Sequence, residues 1–453
     1  MPDTPPSPLP HHRRDRSKAV FVASSFALVF LYGVAVGTFN VFPYAALNFG
    51  FNAVRDLRAN WRTDLGLRPV FFLEPARYPG SGVTRHVAAQ MRPGLTLLAG
   101  FFDRQNELRL IRADGTVVRR WPVRFSTLFP NPTYVQPAKA IPRSEWNIDL
   151  HDAVALTDGS VVFNFEGVGM AKLGRCGEVV WTVPRMVHHA ISPTADGGFW
   201  VGSRTYVTGQ SPYPHLRTPF YDETVMKVSA TGEVVNEISV LDAVIRDYPG
   251  VFYGNATFDV PNGDMIHLND VEELPRSLAD RFPRFSTGDL LVSLRGVSML
   301  LVLNPVTRHV VWTQLGPWIR QHDPDFLPSG HISVFSNNTL DGGEAAAEGT
   351  EMPDPLGAST ILDLDPNTGT TSRVYGGVAS QPMYSAFRGK HDVLDNGNLL
   401  IVEANAGRVI ETNARGEIVW EFINRFDDAD AAVVYQARRY PDEYFTTGDW
   451  SCR

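Results

Sequence analysis

The hydrophobic pattern of this chain changes its period once. Residues 19–39 are almost continuously apolar, and no charged residue occurs between Ala19 and Val54. From about residue 82 the pattern breaks into short alternating runs, each opened by a turn glycine. Examples are 159–165 (GSVVFNF), 197–202 (GGFWVG), 288–294 (GDLLVSL) and 397–402 (GNLLIV). Alternation with period two predicts half-buried strands, and Asp-Gly or Asn-Gly between such runs predicts hairpins, because type I′ turns need positive φ at both central residues. A second turn and strand closes each unit: 115–118 (GTVV), 177–181 (GEVVW), 232–235 (GEVV), 308–312 (RHVVW), 369–374 (GTTSRV) and 416–420 (GEIVW). Six openings and six closings over residues 82–425 give roughly 57 residues per unit, enough for four strands and a long inter-blade loop. Helical periodicity is nearly absent here. The prediction is all-β: a six-bladed β-propeller preceded by one N-terminal transmembrane helix.

A histidine returns in register with these units. His86, His151, His189 and His322 each stand eight positions ahead of a turn glycine (Gly94, Gly159, Gly197 and Gly330). Two copies are irregular: His267 precedes Gly288 with thirteen extra residues between, and His391 precedes Gly397 with two fewer. In a closed ring, one position per repeat converges on one axis, so six such histidines should meet in one place. A lone strand-leading histidine is more often a structural hydrogen-bonder than a catalyst. For His86, His151 and His391 the stitching role is weighed ahead of chemistry. The doubled His188-His189 and the singular surroundings of His267 favour function. Trp181, Trp312 and Trp420 recur at the closing strand and read as packing.

Composition narrows the class. Hydrophobic content of 43%, charged content of 20%, 38 Gly and 33 Pro fit a turn-rich body with a sizeable core. A net charge of −8 without a basic patch beyond the N-terminus argues against a nucleic-acid partner. Two cysteines, Cys176 and Cys452, are too few for a disulfide framework, and whether they pair is left open.

The N-terminus sets the expected compartment. Residues 1–18 are proline-rich and carry Arg13, Arg14, Arg16 and Lys18, a basic cytoplasmic tail. The 21 residues of the 19–39 span reach ~30 Å as helix, which matches a bilayer core. The run exceeds the usual signal-peptide core, so an uncleaved anchor is preferred over a removed signal. Basic residues ahead of the span keep that end in the cytoplasm, and the propeller is expected in the periplasm or another extracytoplasmic space. Residues 40–81 read as a juxtamembrane stem and 426–453 as a C-terminal tail.

Four stretches resemble the bacterial arylsulfotransferases (aryl-sulfate sulfotransferases). Val187-His188-His189 before the Asp196-Gly197 turn is similar to the family's paired-histidine blade opening, with Ala190 in place of the usual acidic residue. Asp264, His267 and Asn269 stand as in the D-W-x-H-x-N motif, with Met265 replacing Trp. Ser293-Leu-Arg295 is similar to the downstream S-S-R-H stretch, and Gln321-His322-Asp323 to the blade that carries the nucleophile. The resemblance implies sulfuryl transfer from an aryl sulfate to a phenol without a nucleotide cofactor or metal. It implies His322 as nucleophile, through a ping-pong reaction and a sulfohistidine. His267 and His189 would handle the phenol proton, Arg295 would bind sulfate oxygens, and Asn269, His188 and His151 would contact substrate. No G-x-x-x-x-G-K-[ST] pattern is present. Aromatic and proline-rich loops at 125–134, 206–221 and 248–258 suit a planar phenol. The rivals are a metal enzyme built on the converging histidines, an eight-bladed quinoprotein ring, and a membrane-tethered, non-catalytic propeller that binds a partner or glycan. The last is the serious alternative, and oligomeric state is left open.

Overall fold

The computed structural model describes residues 16–39, 41–44, 47, 51, 58, 61–213, 216–251, 263–339 and 358–452. Residues 1–15 of the basic tail, much of the stem between 40 and 60, and residues 252–258 of the third aromatic loop lie outside the described residues. The chain divides into two units, residues 1–67 and 68–453.

In the first unit a single helix, Arg16–Phe39, runs for 24 residues and is apolar enough to cross a bilayer. An anchor and a signal sequence both have this form.

The second unit is the predicted six-bladed ring. A blade is a four-stranded antiparallel meander, as in Leu150–Ala155, Val161–Phe165, Gly169–Leu173 and Val179–Val183. The innermost strands of successive blades are Leu150–Ala155, Val187–Pro193, Leu268–Glu273, His322–Phe326, Lys390–Val393 and Val434–Tyr440. Each touches the next, and the last touches the first, so the circuit is closed. The core lies between neighbouring blades, where the period-two apolar faces pack; Leu97, Phe163, Val201, Leu301 and Ile401 are fully buried.

Closure departs from the sequence reading. The tail expected at 426–453 contains Val434–Tyr440, which pairs with Leu95–Phe102 as the innermost strand of the first blade. Gly82–His86, read as that blade's opening, is instead a fifth, outer strand on Ile418–Ile423 of the last blade. His86 is therefore exposed, far from the axis. The two chain ends overlap across the seam, which ties the first and last blades together without a covalent link. Beyond the strand, Cys452 forms a disulfide with Cys176 in the second blade.

The closing tryptophans act as expected. Trp121, Trp181 and Trp420 each donate their indole N–H to a backbone carbonyl of the following blade: Gly174, Ala230 and Ala113 respectively. Trp312 packs edge-on against Phe285, ring centroids 5.8 Å apart.

Candidate active site

Backbone irregularity points the site residues inward. Five of the six innermost strands carry a register shift near their start, at Leu150/Ala153, His188/Ile191, Leu268/Asp270, His322/Asp325 and Val434/Gln436. A bulge inserts extra residues opposite the partner strand and re-aims the side chains there. His189 and His267 hold positive φ of 59° and 46°, a region that L-residues enter at some cost and that recurs at functional sites.

Four of the six register histidines come together. His151 and His189 have ring centroids 4.0 Å apart, His189 and His267 5.1 Å, and His189 and His322 6.4 Å. His151, His189, Asn269, His322, Arg388, Gly389, Lys390 and Tyr435 line one pocket. His391 does not reach it. Its strand, Lys390–Val393, is the one without a register shift, so its imidazole turns toward Asp323, Nδ1 3.2 Å from the carboxylate. Eight positions ahead of Gly397 stands Gly389, and it is Gly389 that lines the pocket. The shortened spacing was the sequence signal for this. Sequence reasoning also missed Arg388, Lys390 and Tyr435, the last because its strand was taken for a tail.

His322 is held in one tautomer. Its Nδ1 lies 2.6 Å from Asn337 Oδ1 and 3.2 Å from the Arg320 carbonyl. Asn337 donates its amide N–H groups to the carbonyls of Ser385 (2.8 Å) and Arg388 (2.5 Å), which fixes its oxygen toward the imidazole. Nδ1 therefore carries the proton and Nε2 keeps its lone pair. Burial, and then the charge of Arg295, push the His322 pKa well below the ordinary value. His189 and His151 are pushed well down, chiefly by burial. His267 is lowered by burial against the opposing pull of Asp264, which sits on its Nδ1. Neutral imidazoles therefore line the pocket at neutral pH.

The cations nearby differ in partnership. Arg388 is paired with Asp149, whose other oxygen accepts from Tyr435 (2.7 Å). Lys390 lies 2.9 Å from Asp270 and 2.7 Å from Asp323. The Arg295 side chain, among the described residues, has no hydrogen-bond or ion-pair partner, and its Nε is buried. Burial lowers its pKa to about 10, still cationic at neutrality. Its backbone N–H donates to the His267 carbonyl at 3.0 Å. Gly296 permits this approach, since a Cβ there would come within 2.6 Å of the Met265 carbonyl oxygen. Asn269 donates 2.7 Å to the Gln321 carbonyl across blades.

Two groups could be imagined to hold a metal: His151, Glu166 and His189, and Asp323, Asp325 and His391. Neither donor set fits. The His189 nitrogen nearest Glu166 is Nδ1, 3.7 Å away, and it is already bonded to His188 Nδ1 at 2.9 Å. In the second, the Lys390 ammonium occupies Asp323 Oδ1, and the His391 backbone N–H donates to Oδ2 at 2.5 Å. Neutral nitrogen bases line the pocket, and the Arg295 guanidinium lies near enough to His322 for its charge to act there, an arrangement suited to an anion with a transferable group.

No match was found among the curated proteins. Among solved structures, the chain is similar to a Bacteroides caccae protein of unknown function, at 14% identity over 76% of this chain and 98% of that one, TM-score 0.47. It is also similar to virginiamycin B lyase from Staphylococcus aureus, at 10% identity over 60% and 70%, TM-score 0.34. Neither likeness bears on function. The arylsulfotransferase family model matches residues 152–425, which take in His189, His267, Arg295 and His322, and the chain belongs to the arylsulfotransferase family.

Proposed function

We propose that this protein moves a sulfuryl group from an aryl sulfate to a phenol in two displacements through His322. The observation that carries the reading is the fixed tautomer: Nε2 of His322 is a buried, neutral base beside the unpaired Arg295 guanidinium. In the first step Nε2 attacks sulfur, the S–O bond to the aryl group breaks, and the phenolate leaves with a proton from the site. In the second, a phenol gives its proton back to the site group that protonated the leaving phenolate, its oxygen attacks sulfur, and the N–S bond breaks to free Nε2. Splitting the transfer in this way replaces one bimolecular collision by two positioned steps. Sulfuryl transfer is akin to phosphoryl transfer, with charge spread on peripheral oxygens, and a forked Arg295 can hold two of them. His189 and His267 stand close enough to one another to serve the phenol oxygen. Asn269 lines the pocket with its Oδ1 unpartnered and so can still meet substrate, whereas His188 reaches the pocket through His189.

We also propose that Arg16–Phe39 anchors the propeller on the extracytoplasmic side, as the basic flank and the disulfide suggest. The test of the chemistry is a donor pulse followed by mass spectrometry. An acid-labile increase equal to one SO₃ group should appear on the His322 peptide. His322→Asn should abolish donor cleavage, because a hydrogen-bonding side chain cannot replace an attacking base. Full activity in that variant would remove His322 as the nucleophile, and an absence of transfer by the native protein would leave the tethered binding propeller as the better account.

A further inference from the structure

Behind the pocket, two side chains that no substrate would touch connect in series to His189. His188 Nδ1 lies 2.9 Å from His189 Nδ1, and His188 Nε2 lies 2.9 Å from Glu223 Oε2. All three residues are buried, His188 and Glu223 to within 1% of complete. Neither His188 Nε2 nor Glu223 Oε2 makes a hydrogen bond among the described residues, and at 2.9 Å each lies within proton-transfer reach of the other. The local sequence makes room for this. Glu223 lies on Phe220–Val228, across Phe199–Val207 from the histidines. Between them stands Gly202, where a Cβ would sit 3.1 Å from His188 Cε1. The ring of His188 crosses the strand over that glycine.

We propose that Glu223 and His188 form a proton relay that sets whether His189 Nε2 donates or accepts in the pocket. Two nitrogens 2.9 Å apart can share only one proton, so the tautomers of the two rings are locked together. With Glu223 protonated, its O–H donates to His188 Nε2, His188 Nδ1–H donates to His189 Nδ1, and His189 Nε2 bears a proton. When that proton goes to a departing phenolate, the His188 Nδ1 proton moves to His189 Nδ1, and the Glu223 proton moves to His188 Nε2. The protein has then lost one proton, both rings are again neutral, and the charge rests on Glu223. The second displacement runs the chain backward. Burial and the nearby Asp264 favour the protonated carboxyl, while Arg204 favours the carboxylate, so Glu223 can be reached from both states. Glu166 and His267 also face this cluster, with Glu166 Oε2 3.7 Å from His189 Nδ1. Glu223 and His188 are positioning residues: they act on substrate only through His189.

The inference rests on the sulfuryl-transfer reading, and its test separates the two. With the full chain in detergent and ring-¹⁵N histidine, solid-state NMR should show a scalar coupling between His188 Nδ1 and His189 Nδ1. Glu223→Gln, which cannot deliver a proton, should freeze His189 in one tautomer across pH. The same variant should slow transfer from phenyl sulfate, a poor leaving group, by about 10²–10⁴-fold. Transfer from 4-nitrophenyl sulfate should change little, and labelling of His322 should survive. Glu223→Asp should restore part of the phenyl sulfate rate. Equal losses with both donors, or an unchanged His189 tautomer profile in Glu223→Gln, would overturn the relay. If the native protein transfers no sulfuryl group at all, the sulfotransferase reading fails, and the coupling and tautomer measurements still decide the relay.

Discussion

At the scale of single residues, the chemistry depends on where protons are kept. The amide of Asn337 does for His322 what a carboxylate does in many catalytic histidines, but without the charge. A neutral acceptor orients Nδ1–H and leaves the imidazole weakly basic, so the attacking nitrogen stays unprotonated beside a cationic guanidinium. The sign of the pH dependence follows. Because the pKa of His322 is depressed, the reactive form persists below the ordinary histidine value of about 6.5. The acid limb of kcat/KM for donor cleavage should therefore lie below that value. Asn337→Asp places a negative charge on the same proton and favours the imidazolium, so the limb should move to higher pH. The variant also loses two donated hydrogen bonds, a cost of about 1–3 kcal/mol each where the carbonyls stay buried. A pH–rate profile with a parallel melting curve separates the two effects. An unmoved acid limb in a folded variant would mean that His322 is not the titrating base.

At the scale of elements, the sequence carried the repeat and lost the exceptions. Turn glycines and alternating strands gave the blades, because period-two burial between packed sheets leaves a direct trace in the sequence. The register of the histidines held where the innermost strand is bulged, at His151, His189, His267 and His322. It failed at His391, where the strand has no bulge and the histidine stands two residues past the repeat position, which Gly389 takes. It failed at His86 for another reason. Strand pairing across the seam is a long-range choice, and a short polar run can serve as an outer strand as readily as an inner one. The closing tryptophans could be read as packing from recurrence alone, but not their N–H bonds to the next blade. Those bonds differ in burial, which gives a graded expectation. Trp121 and its acceptor Gly174 are buried, so Trp121→Phe strands the Gly174 carbonyl and should destabilise by about 1–3 kcal/mol. Trp181 is partly exposed, so Trp181→Phe lets water replace the bond and should cost about 0.5–1.5 kcal/mol. Equal losses in denaturant unfolding would mean that the indole N–H groups do not stitch the blades.

At the scale of the whole molecule, the ring is held shut by overlapping ends and one covalent clasp. The strand Val434–Tyr440 must return across the full length of the ring to pair with Leu95–Phe102, and the Cys176–Cys452 bond follows it into the second blade. Its 276-residue separation closes nearly the whole propeller into one loop, so the bond removes much freedom from the unfolded chain. Cys452→Ser should lower stability by about 2–5 kcal/mol, and a reductant should lower the native melting temperature while leaving the variant unchanged. The clasp also bears on topology. Cytosolic thiols are kept reduced, whereas disulfides persist in oxidising compartments, so a bond between these cysteines fits the outward orientation drawn from the basic flank of Arg16–Phe39. A reporter fused after Arg453 should be active only on the extracytoplasmic side. Alkylation of the native protein in intact cells, without reductant, should modify neither cysteine. Cytoplasmic reporter activity together with two reactive thiols would reverse the orientation, and would move the expected aryl sulfate and phenol to the cytoplasmic face.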